Sequence, residues 1–83
     1  MLFEWDDAKH RANLAKHCFG FDFAARIFDG PVVERLDMRH DYGETRIVTL
    51  GRVGRDWLVV TYTWRGLARR IISARRASRK ERP

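Results

Sequence analysis

The sequence predicts an α+β fold in which two N-terminal helices pack on a small antiparallel sheet. Three features carry that expectation. Residues 8–17 contain no Gly or Pro and repeat alanine at helical spacing. From Val32 onward, short runs rich in β-branched and aromatic residues are separated by Gly-containing turns. The helical and extended segments follow one another instead of interleaving, the order expected when helices gather on one sheet face. At 83 residues the chain has room for one domain, 1–83, with a basic C-terminal segment at 75–83.

Each element has a local reason. Leu2-Phe3-Glu4-Trp5 alternates as a short strand does, and Asp6 then suits a helix N-cap, with Asp7 in the first turn. On the helix that follows, Ala8, Ala12 and Ala15 share one face, while Lys9, Asn13 and His17 form a polar stripe opposite. Gly20 ends it. Asp22 is expected to cap a second, short helix over 23–28, which Asp29-Gly30-Pro31 stops. Residues 32–36 read as a weak strand and 39–44 as a loop. Residues 45–52 alternate, 51–56 hold two turn glycines, and 57–64 form the strongest strand. A tight connection at 65–68 leads to a last strand at 69–74, and the remainder reads as a frayed helix or mobile tail.

Composition narrows the function classes. The longest apolar run, Trp57-Leu58-Val59-Val60, is far short of the roughly 20 residues of a membrane span. No basic–apolar–small pattern opens the chain, and the lone Cys18 cannot form an internal disulfide. A reducing, cytoplasmic setting is expected. The net charge of +6 is uneven: residues 1–64 sum to −1, and residues 65–83 sum to +7. Fourteen of the 17 basic residues are arginine, whose planar fork suits phosphate. A phosphate-bearing partner fits better than a merely solubilising end.

Metal and nucleotide cofactors are not expected. His10 and His17 are about 10 Å apart along a helix at roughly 1.5 Å per residue, too far to share a metal ion. His40 falls in another segment, and no glycine-rich phosphate loop occurs. Ser73 and Ser78 lack a nucleophile elbow. Cys18 reads as a small buried hydrophobe. What remains is a cationic and aromatic surface: Tyr62 and Trp64 share one face of a strand, with Arg65 at the turn beside them. Arginine on phosphate and ring on base would suit RNA. The plain alternative is that both rings are sheet core and the arginines a solvated rim.

Several short motifs resemble one family. They are Phe3-Glu4-Trp5-Asp6, Ala8-Lys9, Asn13-Leu14, Lys16-His17, Phe21 and Ala24 near the start, and Gly43-Glu44, Arg46 and Gly51 in the middle. The last block is Val60, Tyr62-Thr63, Arg65-Gly66 and the run from Arg70 through Ile71-Ile72-Ser73-Ala74-Arg75-Arg76 to Ala77. In these the chain resembles the BrnT-type toxins of bacterial type II toxin–antitoxin systems, which share a RelE-like ribonuclease fold. One departure is Cys18, where the family usually has glycine.

The resemblance implies a single toxin domain acting as a metal-independent endoribonuclease, a hydrolase-class enzyme that cleaves RNA and inhibits translation. It implies a cognate DNA-binding, BrnA-like antitoxin, contact with operator DNA only through that antitoxin, no cofactor and no membrane partner. RNA carries its own nucleophile, the 2′-hydroxyl, so alignment and charge stabilisation suffice. Histidine is the side chain that titrates near neutral pH, which makes His17 the expected base, with Glu4 in reserve. Arg65 and Arg75 are assigned to transition-state charge and Tyr62 to orienting the nucleophile. Lys9, Lys16, Arg70 and Arg76 are assigned to RNA positioning. The competing reading is a non-catalytic basic module that grips nucleic acid or an antitoxin.

Overall fold

A computed structural model describes residues 1–39 and 43–83. Strand β1 (Leu2–Trp5) leads into helix α1 (Asp7–His17) and helix α2 (Phe21–Ala24), which continues as a 3₁₀ segment (Ala25–Asp29). Strands β2 (Val33–Leu36), β3 (Ile47–Val53), β4 (Asp56–Arg65) and β5 (Ala68–Arg76) complete the chain. The sheet order is β1-β5-β4-β3-β2. The expected loop at 39–44 lies partly outside the described residues.

The expected all-antiparallel sheet is corrected to a mixed one. Strand β1 pairs in parallel with β5, Leu2 opposite Ala68 through Trp5 opposite Ile71, and the other pairings are antiparallel. The strand expected at residues 2–5 is present ahead of the helices, and it joins this same sheet. The hairpin signals from Val32 onward concern neighbours in sequence, whereas β1 and β5 are the first and last elements, and their pairing is a long-range choice. Gly54 and Gly66 adopt φ of +59° and +58° in the two hairpin turns, the left-handed region that a two-residue connection requires.

The core lies between the helical layer and one sheet face: Phe21, Ala24, Ile27 and Phe28 against Leu58, Val60, Tyr62, Ile71 and Ala74. At Gly51 a Cβ would stand 2.8 Å from Ile27 Cβ, so glycine lets the 3₁₀ segment rest directly on β3.

Helix α1 departs from its expected orientation. Ala8, Ala12 and Ala15 are exposed, and no α1 residue is fully buried. Asp6 caps it as expected, accepting from the Ala8 and Lys9 amides at 2.8 and 3.1 Å. Asn13 and His17 of the polar stripe, with His10 beside them, are half-buried, while Lys9 stays exposed. His10 Nδ1 accepts from the Phe21 amide at 3.0 Å, and its ring stacks on Trp5. Asn13 Nδ2 donates to the Phe19 carbonyl at 3.0 Å. These bonds satisfy backbone groups in the connection between the helices, which an alanine face cannot do. Gly20 leaves no room for a Cβ against the His10 ring.

Two smaller expectations are also corrected. The second helix starts at Phe21 with Gly20, not Asp22, at its N-cap, and its 3₁₀ continuation ends at Asp29. Cys18 is exposed, not buried, because it closes α1 at φ +68°, with its amide donating to the Leu14 carbonyl. That left-handed position is the natural place for the glycine usual in the family.

Candidate active-site groove

Strand β1 is too short to cover β5. Its pairing stops at Ile71, where Asp6 turns the chain into α1, so residues 72–76 of β5 have no strand on that side. Helix α1 runs beside this open edge. Between them lies a groove of about 340 Å³, lined by Lys9, Ala12, Asn13, Lys16 and His17 from α1 and by residues 72–75 of β5, with Phe21 behind. His17 is half-buried, its ring 6.1 Å from that of Phe19.

Arg75 is held by a carboxylate. Its guanidinium makes two bonds to Glu81, at 2.8 and 2.9 Å, and Glu81 also accepts from the Ser78 amide at 2.7 Å. The paired carboxylate raises the Arg75 guanidinium pKa, and Arg75 with the Ser78 amide draws Glu81 down to about 2. The 78–81 turn therefore packs a carboxylate onto Arg75 in the fork geometry that a phosphate would also use, on the sheet face of Val48, Leu50 and Val59, opposite the core face that the helices cover. Sequence reasoning misses Glu81 as a site residue. The signal that could have found it is the Ser78-x-x-Glu81 spacing, in which a side chain bonds back to an amide three residues earlier.

Of the residues predicted from sequence, the groove gathers Lys9, Lys16 and His17; Arg75 lines its β5 edge, but Glu81 holds its guanidinium on the other sheet face. The others lie elsewhere. Arg65 pairs with Ala68, seven residues from Arg75, which places the two about 23 Å apart at roughly 3.3 Å per strand residue. They cannot grip one phosphate. Tyr62 is 1% exposed, and its hydroxyl donates to Glu34 Oε2 at 2.7 Å. Burial foremost, and then the Glu34 bond, raise its phenol pKa. Tyr62 is a core residue with a satisfied hydroxyl, and orienting a nucleophile in the groove is outside its reach. Arg70 is committed to Glu4 at 2.8 Å, which also occupies the reserve base. Arg76 pairs with Asp56 at 2.8 Å and stands over the Phe19 ring.

Among the described residues, no group of three or more His, Cys, Asp or Glu side chains is placed to hold a metal ion. No helix among them is long and apolar enough to cross a membrane.

Among curated proteins no sequence matches the chain. Its fold is similar to the crystal structure of the Brucella abortus ribonuclease toxin BrnT, with a TM-score of 0.70 at 27% identity. The match covers 95% of this chain and 99% of the Brucella one. The sequence model of the family described as "Ribonuclease toxin, BrnT, of type II toxin-antitoxin system" matches residues 5–81. A match over that much of the chain establishes its family: it belongs to the BrnT toxins of type II toxin–antitoxin systems.

Proposed function

We propose that the chain is a metal-independent endoribonuclease of RelE-like type that cleaves RNA in the α1–β5 groove and thereby inhibits translation. The observation that carries this reading is the convergence of His17, Lys9 and Lys16 on one groove along an open strand edge that Arg75 borders. His17 takes the proton from a ribose 2′-hydroxyl, and that oxygen attacks the adjacent phosphorus. The bond to the 5′-oxygen breaks, and the leaving oxygen takes a proton from water. The products are a 2′,3′-cyclic phosphate and a free 5′-hydroxyl. Arg75 stabilises the charge on the phosphoryl oxygens once RNA displaces Glu81 and the freed side chain swings around the open β5 edge, and the two lysines hold neighbouring phosphates. Arg65 lies too far along the sheet for this step, so one arginine carries it instead of two.

The partner is a cognate antitoxin, BrnA-like and DNA-binding, which silences the toxin in the cytoplasm and alone links it to operator DNA. Cleavage of a defined RNA by the purified protein, in chelator, tests the reading. The expected result is cyclic-phosphate product from the wild type and none from His17→Ala. Undiminished cleavage by His17→Ala would remove His17 as the base, and no cleavage by the wild type would leave a non-catalytic binder.

A further inference from the structure

At the opposite end of β5 from the groove, Arg69 sits among three rings. Its guanidinium carbon is 4.4 Å from the Phe28 centroid, 4.7 Å from that of Trp64 and 5.3 Å from that of Tyr62. Tyr62 meets both Phe28 and Trp64 edge-on, at 87° and 86°. Phe28, Arg69 and Trp64 are thus held along a common wall, beginning in the core and ending at solvent. Phe28 is buried, whereas Trp64 is 48% exposed. Arg69 Nε is buried with no hydrogen-bond partner, and the guanidinium is held by the rings together with the Tyr62 hydroxyl.

Such an assembly fixes the orientation of an exposed indole before any ligand arrives, which lowers the entropy lost on stacking. The next residue, Arg65, is exposed, and among the described residues it has no carboxylate partner. We propose that Trp64 is a stacking platform for one base of single-stranded RNA, with Arg65 on the flanking phosphate. It is a second contact point, about 10 Å from the near end of the groove and about 20 Å from Arg75 at roughly 3.3 Å per strand residue. The proposal rests on RNA being the substrate. Exposed Leu67 and Leu2 nearby would also suit a protein partner, but the open indole backed by a guanidinium, with an unpaired arginine next to it, favours a base and its phosphate.

The test uses 2′-O-methyl oligonucleotides, which lack the nucleophile and cannot be cut, with single abasic positions scanned along them. In the wild type one position, away from the cleavage site, should be sensitive to base removal. Trp64→Ala should lower affinity about tenfold, a typical loss for one stacked base, and abolish the sensitivity at that position. Trp64→Phe, which keeps an aromatic plane and guards against a folding defect, should retain most of both. Arg65→Ala should reduce the salt dependence of binding by about one phosphate contact.

The proposal falls if Trp64→Ala binds as the wild type does while Arg75→Ala loses affinity; the groove reading then survives alone. It also falls if Trp64→Ala retains the abasic sensitivity, or if its only defect is in capturing the antitoxin. Failure of the wild type to bind RNA would overturn the ribonuclease reading, and this platform with it.

Discussion

The two ends of β5 each present an arginine near a surface that RNA could use, and they hold it in opposite ways. Arg75 is exposed and bound by Glu81 through two charge-assisted bonds. Arg69 is half-buried and lies against three aromatic rings. A surface carboxylate is screened and can be replaced by another anion, so the Arg75 end is available for exchange. An arginine packed among rings excludes water and cannot leave without exposing them, so the Arg69 end is architecture. In the proposed mechanism the same residue type is thus a reagent at one end and a support at the other, and the neighbours decide which.

The sharpest break in that comparison is Arg75→Ala. Loss of one donor to developing charge typically costs about a hundredfold or more in rate. Stability should move by only about 0.5 kcal/mol, as for other surface positions. Cleavage kinetics and thermal unfolding on one preparation check both halves, and a large stability loss would contradict the exchangeable role of Arg75.

Arg69→Ala should do the reverse. It removes the cation from among Phe28, Tyr62 and Trp64 and should cost about 2 kcal/mol. That corresponds to a melting temperature lower by about 10 °C in a domain of this size. Cleavage by the folded fraction at low temperature should change little. Arg69→Lys should rescue poorly, because an ammonium is no planar partner for the rings. Full rescue would show that only charge matters there.

Tyr62→Phe is a finer probe of the same end. Glu34 accepts from Tyr62 at 2.7 Å and from Thr49 at 2.8 Å, so removing the hydroxyl leaves the carboxylate one partner. A bond to a charged acceptor contributes about 1.5 kcal/mol, which chemical denaturation should resolve. Cleavage should persist, since the ring lies outside the groove; its loss in a folded Tyr62→Phe protein would return Tyr62 to the catalytic set.

The smallest effect belongs to the Arg75 clasp. Glu81 is drawn from an ordinary value near 4.5 to about 2, so the folded state favours its ionised form. The clasp's contribution is therefore complete above about pH 4.5 and is lost as the pH falls toward 2. The Ser78 amide resonance should follow that titration and lose it in Glu81→Gln. A midpoint near 4.5 would mean that the carboxylate does not engage Arg75 in solution.

Much of the fold is legible in the sequence. Asp6 as the helix cap, the two hairpins with their glycines, and the strands around Val60 and Ile71 follow from residue type and spacing. The reach of the motifs that resemble the family is legible too. The orientation of α1 is not. Alanine at 8, 12 and 15 reads as a packing face, yet His10, accepting from the Phe21 amide, and Asn13, donating to the Phe19 carbonyl, turn their own side of the helix inward. Nor is the split of the proposed site, because Arg65 and Arg75 look interchangeable as cations until the strand register measures the distance between them.

The sequence by itself determined the class of molecule: helices followed by hairpin-linked strands, a C-terminal concentration of arginine, and a family pattern spread along most of the chain. These are local or compositional properties, settled by turns, caps, periodicity and charge. Tertiary structure alone decided that β1 pairs in parallel with β5 and stops at Ile71, leaving an open edge beside which α1 lays Lys9, Lys16 and His17. It also decided which arginine meets a carboxylate and which meets rings. The physical reason is that both outcomes depend on contacts between residues far apart in the chain, whose free energy no local pattern contains.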